Sequence, residues 1–407
     1  MTVMERFLDY ITWSTQSEAD VEAVPSTERQ WGLAKHLKEE CEAMGLANVR
    51  LSDHCYVYAE LPATPGCESV PAIGFIAHMD TATEISGENV KAQVIENYDG
   101  GAVALGESGL VLDPAAFPHL KGMAGKTLIT TDGSTLLGAD DKAGIAEILT
   151  MAETLIREGR PHGKICIGFT PDEEVGNGPA FFDIEGFGAD YAYTVDGGDP
   201  STINYENFNA VQAVFLIKGF NIHPGSAKDK MINALLVGYE INSMLPSGET
   251  PRDTEGREGF YHLIGMEGDT AACTLTYIVR DFDAGSMEAR RNTLRHITDL
   301  LNAKYGAGTV TLSLKDQYPN MIEGLRDKMF IVEDAFAAID ACGLTHAAEP
   351  ARGGTDGATL TIMGLPCPNL GSGENAAHGP YEHITKEDLE LCTEILLTIV
   401  GRAADRA

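Results

Sequence analysis

The chain has 407 residues, 43% of them hydrophobic, and a formal net charge of −32. That length points to two or three domains with real cores, and the charge argues against nucleic acid or an anionic membrane surface as a partner. No apolar run approaches the roughly 20 residues of a bilayer span, and the opening MTVMERFLDYITWST lacks the basic and apolar regions of a secretory signal, so a cytoplasmic location is expected.

The first two-thirds alternate helix and strand. PSTERQWGLAKHLKEECEAMG reads as a helix with Leu33, Leu37, Cys41 and Met44 on one face, Thr27 and Gln30 suited to a capping box and Gly45 to the stop. AIGFIAHMD is a strand, and LITTDGSTLLG carries Asp132-Gly133, a hairpin-turn signal. DKAGIAEILTMAETLIREG is an amphipathic helix ending at Gly159, and KICIGF and YAYTVD are short strands. This alternation predicts an α/β sheet with helices on both faces.

From about Asn209 to Lys315 the order becomes strand, helix, two strands, helix, strand, which is the split β-α-β-β-α-β ferredoxin-like unit. Helices return in KMFIVEDAFAAIDACG and KEDLELCTEILLTIVGRAA, with the strand CPNLGSG between them. The expected organisation is one domain built from residues 1–207 and 318–407, interrupted by an inserted domain over 208–317. The eight cysteines are scattered and form no C-x-x-C pair, as in reduced core thiols rather than a disulfide frame or a thiolate zinc site.

Ligands in open α/β sheets gather beyond the carboxyl ends of strands. Four acidic or histidine clusters fall at such ends: His78 and Asp80, then Asp140 and Asp141, then Asp172, Glu173 and Glu174, then Asp196. His378 in ENAAHGPYEH is a fifth candidate. Each has a plainer reading. Asp141 suits a helix N-terminus, Asp196 before Gly197-Gly198 suits a turn, a lone histidine at a strand end is usually structural, and Asp172 alone reads as exposed loop.

A metal site unifies the set. Carboxylates and imidazoles without thiolates suit hydrolytic zinc, or manganese or cobalt. Residues i and i+2 of a strand point the same way, so Asp80 can fix the His78 ring. With Asp140, Glu174 and Asp196 as anionic ligands, two divalent ions keep one net positive charge, which favours a hydroxide and a substrate carbonyl and offsets the repulsion among the acids. Glu173, beside a ligand but on the opposite side of the chain, is the natural general base.

AHMDT, LLGADDKAGIAEI, TPDEEVG, YTVDGG, NIHPGSAK and RGGTDGA together resemble the cocatalytic dizinc exopeptidases related to aminoacylase and the dipeptidases, and the flanking segments resemble their tripeptide aminopeptidases over nearly the whole chain. The resemblance implies a zinc-exopeptidase-like catalytic domain with a mixed central sheet flanked by helices and a ferredoxin-like lid. It implies two zinc ions, with cobalt or manganese as substitutes, held by His78, Asp140, Glu174, Asp196 and His378. Asp140 would bridge the ions, with a cis bond to Asp141. Asp80 would orient His78, and Glu173 would activate the bridging water and protonate the leaving amine.

In the inserted domain, the resemblance has His223 donate to the oxyanion and Arg280 and Arg352 hold the peptide's carboxylate end. From the residues alone, His223 before Pro224 could equally shape a turn, and Arg280 could pair with Asp281 or Asp283. The implied substrate is a short peptide with a free N-terminus, a tripeptide foremost, and a homodimer is compatible with the inserted domain. One stretch departs from the family: GSGENAAHGPYEH places Gly373, Glu374 and Ala376 where a Gly-Gly pair and an Asn are usual, and His383 where an aromatic is usual. Rival readings are another dizinc amidohydrolase, either dipeptidase or N-acyl amino acid deacylase, and a non-catalytic metal-binding relative. GMAGKT lacks the first glycine of a P-loop, and no G-x-S-x-G occurs.

Overall fold

A computed structural model describes residues 1–406. The described chain forms two compact units: residues 1–205, 324–349 and 355–406 make the first, and 206–323 with 350–354 the second.

The first unit is built on a mixed sheet of eight strands in the order Ala47–Leu51, Val57–Leu61, Ile165–Thr170, Ile73–His78, Tyr191–Val195, Asn369–Leu370, Thr202–Asn204, Ala347–Ala348. Its central strands Ile165–Thr170, Ile73–His78 and Tyr191–Val195 run parallel. All their residues are buried, as expected of strands covered on both faces. Side chains alternate accordingly. Ile73, Phe75, Ala77, Ile165, Ile167, Phe169, Tyr191 and Tyr193 join the larger core with helices Ala139–Glu158 and Lys386–Ala404. Ile76, Cys166 and Ala192 join Phe182, Phe187 and Leu360 on the other face.

Gly144 decides how close the helix Ala139–Glu158 can come to the sheet. A Cβ there would lie 2.0 Å from the Val195 carbonyl oxygen, so only glycine lets the start of this helix settle against the end of strand Tyr191–Val195.

Several expected features differ. Asp132-Gly133 closes no hairpin. Strand Leu128–Thr131 pairs instead with Ala92–Ile95 and His383–Thr385 in a separate three-stranded sheet, and Asp132 turns the chain by accepting from the Ser134 amide, 2.9 Å. Helix Gln30–Ala43 has no side-chain N-cap, because the Gln30 amide reaches Asp172 Oδ1 at 2.6 Å and not the helix end.

The second unit carries an antiparallel sheet in the order Phe260–Gly268, Ala272–Asp281, Asn209–Lys218, Val310–Tyr318. Helices Ala234–Met244 and Ala284–Tyr305 cover one face, burying Val237, Ile241, Leu294, Ile297 and Leu301 against Phe215, Leu275 and Tyr277. Chain order and strand order are those of the ferredoxin-like unit. Pro350–Gly354 returns to this unit from late in the sequence.

Among the described residues no helix is long and apolar enough to cross a membrane. All eight cysteines are free, seven of them buried.

Candidate active site

The site stands where the parallel strands stop together. His78 ends one strand in register with Thr170 of its neighbour, and Ile76 pairs with Thr194 on the other side. The chain leaving Thr170 brings Asp172, Glu173 and Glu174, and the chain leaving Val195 brings Asp196. This is where an open α/β sheet exposes side chains and backbone groups to a ligand.

Asp140 is central. Its Oδ1 lies 2.8 Å from His78 Nε2 and its Oδ2 3.1 Å from His378 Nε2. His378 Nε2 also lies 3.0 Å from Glu174 Oε2, and His78 Nε2 lies 4.0 Å from Asp196 Oδ1. Ligand atoms of His78, Asp140 and Glu174 fall within 4.8 Å of one another, as do those of His78, Asp141 and Asp196 and those of Asp140, Asp196 and Glu374. The five residues expected to converge therefore do so, and Asp140 spans both histidines.

The supports are hydrogen bonds of long sequence reach. Asp80 is fully buried. Its Oδ1 lies 3.3 Å from His78 Nδ1, while the same carboxylate accepts the Glu173 amide at 2.9 Å and the Glu174 amide at 3.2 Å. The carboxylate thus seats the acidic pair, and together with the Asp80 main-chain carbonyl, 3.1 Å from His78 Nδ1, it orients the imidazole. The Asp140–Asp141 peptide is cis. Asp141 accepts from the Gly144 amide at 3.2 Å, as a helix-start acid should, and from the His78 amide at 3.1 Å.

Asp172 is not exposed loop. It is fully buried and accepts from the Ser26 amide (2.6 Å), Ser26 Oγ (2.5 Å) and Gln30 Nε2 (2.6 Å). Of the three carboxylates of TPDEEVG, this one fixes the loop and leaves the other two to the site.

Two contributors were not singled out from sequence. Glu382, 1% exposed, accepts amide bonds from Leu137 (2.6 Å), Gly138 (2.8 Å) and Asp140 (3.0 Å), so it clamps the segment that presents Asp140. Its only sequence signal is an acid four places after His378. Asp356 of RGGTDGA is buried and accepts from Thr170 Oγ1 at 2.8 Å.

The electrostatics of the protein groups alone record the crowding. Burial pushes Glu174 up to about 7 and Asp196 up to about 6. Burial also drives Glu173 well above the carboxylate range, with the Asp356 charge adding to it. Hydrogen bonds to Asp140 and Glu174 lift His378 to about 11. Burial opposes the ionised form of Asp140, but the two histidines override it and hold that carboxyl low. Glu174 Oε1 is buried with no partner among the described residues, an arrangement that costs stability unless something satisfies it. Imidazole nitrogens and carboxylate oxygens without a thiolate, with one oxygen orphaned, fit a divalent-ion centre.

His223, Arg280 and Arg352 belong to the second unit. His223 Nδ1 accepts from the Gly225 amide at 3.1 Å, shaping the turn at Pro224, which leaves Nε2 as its free nitrogen. Arg280 is buried, donates to the Val279 carbonyl at 3.0 Å and lies over the Tyr318 ring. Asp281 pairs with Arg290 at 2.7 Å, not with Arg280, and Asp283 caps helix Ala284–Tyr305. Arg352 donates to the carbonyls of Gly256 (2.8 Å) and Glu258 (3.0 Å) and to Thr254 Oγ1 (3.0 Å), so both terminal nitrogens already hold a loop.

Comparison with known proteins gives the same picture. Residues 132–402 match the Peptidase family M20/M25/M40. The chain is 50% identical over 406 residues to peptidase T of Clostridium perfringens (strain SM101 / Type A), covering 99% of each. Its fold is similar to that of aminopeptidase PepT from Bacillus cereus ATCC 10987, with a TM-score of 0.78 at 22% identity over 99% of this chain and 98% of that one. It is also similar to a dinuclear metal binding peptidase of the M20 family from Bacillus subtilis, with a TM-score of 0.66 at 15% identity over 100% and 98%. The chain belongs to peptidase family M20/M25/M40 and, within it, to the peptidase T enzymes.

Proposed function

We propose that the chain is a metallo-aminopeptidase that removes the N-terminal residue of tripeptides, with two zinc ions at the strand-end cluster. The observation that carries this is the convergence of His78, Glu174, Asp196 and His378 about Asp140, with one buried oxygen of Glu174 left unpartnered among the described residues. Asp140 would serve both ions, His78 and Asp196 one, His378 and Glu174 the other. Bound ions would supply Lewis-acid polarisation of the scissile carbonyl and a more acidic water.

The protein's own part follows from position. Asp80 keeps the proton on His78 Nδ1, so that Nε2 presents its lone pair. Glu173 has its amide tied to Asp80 and its carboxyl free of hydrogen bonds among the described residues. It would take a proton from the attacking water and return it to the leaving amine. In the second unit, His223 Nε2 would donate to the oxyanion and Arg280 would meet the peptide carboxylate, while Arg352 holds the loop 254–258. Free thiols throughout suit a reducing cytoplasm.

The test is metal analysis alongside hydrolysis of free-amine tripeptides and N-acyl amino acids, with and without chelator. About two zinc per chain is expected, with tripeptide cleavage lost on chelation and restored by divalent ion. Preference for N-acyl amino acids would replace this reading with a deacylase.

A further inference from the structure

We infer that Glu374 is an additional carboxylate of the metal centre, one that gives it a harder, oxygen-rich donor set and favours manganese-type ions relative to zinc. The inference rests on the dinuclear reading above but adds a residue to it. A carboxylate oxygen of Glu374 lies within 4.8 Å of ligand oxygens of both Asp140 and Asp196. The residue is 9% exposed, too enclosed for bulk water to compensate its charge.

Its place is fixed by backbone. Ser372 and Gly373 donate to the carbonyls of Gly197 and Gly198, each at 2.7 Å, directly after Asp196. On the other side Asn375 and His383 exchange amide bonds of 2.9 and 3.0 Å. Glu374 is held between these two anchors, so its approach to Asp196 is set by the main chain and not by a freely chosen rotamer of a surface loop.

What surrounds the carboxylate does not satisfy it. Its one hydrogen bond among the described residues comes from Ser372 Oγ at 3.2 Å, and that hydroxyl has a single proton, which also faces the Gly197 carbonyl at 2.8 Å. Among the described residues no Lys or Arg pairs with Glu374, Asp196 or Asp140; histidines oppose Asp140 and Asp196, and no cationic side chain pairs with Glu374. A carboxylate drawn into such company needs a cation or a proton, and the divalent ions of this centre are the cations at hand. With Glu374 counted, four carboxylates face two divalent ions and the centre is formally neutral. Carboxylate oxygens suit manganese better than imidazole or thiolate does.

The test uses the full chain stripped of metal and titrated with Mn2+, with Zn2+ by competition, and with Co2+ read by visible absorption. Glu374→Gln keeps the size of the side chain, and Glu374→Ala removes it; thermal melts of the stripped proteins show that each folds. The expected result is Mn2+ binding weakened about tenfold or more in both variants, zinc binding weakened less, and a changed Co2+ spectrum. Affinities within twofold of the parent with the same Co2+ spectrum would overturn the assignment, as would tighter binding in Glu374→Gln. If the parent itself bound no divalent ion, the dinuclear reading would fall and this inference with it. Unaltered metal binding in the variants of a metal-loaded, active parent would sink the inference alone.

Discussion

The strand-end cluster of the first unit and the sheet-and-helix layer of the second treat their acids in opposite ways, although elsewhere the first unit pairs its acids too, as Arg6 does with Glu40 at 2.7 Å. In the second unit buried and partly exposed carboxylates alike meet cations: Arg290 joins Asp281 at 2.7 Å and Glu249 at 2.5 Å, and Glu240 accepts from Lys304 at 2.6 Å as well as from Tyr305 at 2.7 Å. At the strand ends of the first, Asp140, Glu174, Asp196 and Glu374 crowd together, and among the described residues histidines are the only cationic partners of the first three. Paired acids hold a fold together, whereas acids left short of partners at strand ends hold something the chain does not itself contain. Substitutions on the two sides should therefore separate stability from chemistry.

The largest effect falls on Glu173. Glu173→Ala should lower kcat by a factor on the order of 10²–10⁴ while the bound metal stays at the parent level. Activity assays paired with metal analysis check it. A variant that lost its metal as well would make Glu173 a ligand and not the base.

Next comes Arg290, 13% exposed and shared by Asp281 and Glu249. Arg290→Ala leaves the nearly buried Asp281 unpaired, and removing one partner of such a pair costs about 3–5 kcal/mol. A urea or thermal melt should show the loss, with the metal content of the first unit unchanged.

Glu382 lies on the other side of the comparison: an acid of the first unit that is fully satisfied, but by backbone amides. Glu382→Ala should loosen the segment Leu137–Asp140 and weaken metal affinity about 10–100-fold, or roughly 1.4–2.8 kcal/mol. Metal competition with a chromophoric chelator reads this directly, and Glu382→Gln should recover part of it.

How much of this could be read from sequence follows from reach. His78, Asp140, Glu174 and Asp196 were legible because each sits at a strand end or strand–helix junction, and local pattern marks those junctions. Asp172 was not, since its burial depends on Ser26 and Gln30, which lie 146 and 142 positions away. Glu382 reaches back 242 to 245 positions, and nothing local marks it as different from an exposed acid. Asp132-Gly133 misled because turn chemistry fixes a turn and not what pairs across it. The second unit's strand and helix order was plain from periodicity, but the return of Pro350–Gly354 to it rests on the tertiary contacts of Arg352 with the loop 254–258.

Protonation supplies a smaller, graded test. With protein groups alone, His378 is lifted to about 11 and Glu174 to about 7, so at neutral pH the first holds its proton and the second holds one part of the time. A divalent ion needs the neutral imidazole and the ionised carboxylate, so binding must expel protons. Affinity should therefore rise as pH increases from 6 to 8, close to tenfold per unit for each proton released. Calorimetry in buffers of different ionisation enthalpy should count about two to three protons per chain at pH 7, one from each ligating histidine and part of one from Glu174. A pH-independent affinity would mean that the histidine is already neutral.

The smallest effect belongs to Arg295 of the second unit, whose partner Glu288 lies 2.7 Å away with both side chains about half exposed, at 48% and 54%. Water screens this pair and each side chain gives up rotamer freedom to form it, so Arg295→Ala should cost about 0.2–1 kcal/mol. Set against Arg290→Ala on the same helix, Ala284–Tyr305, it contrasts an exposed pair with a buried arginine shared by two carboxylates. If the two substitutions destabilised equally in matched melts, pairing alone would explain the second unit's stability, and the contrast drawn with the strand-end acids would lose its physical basis.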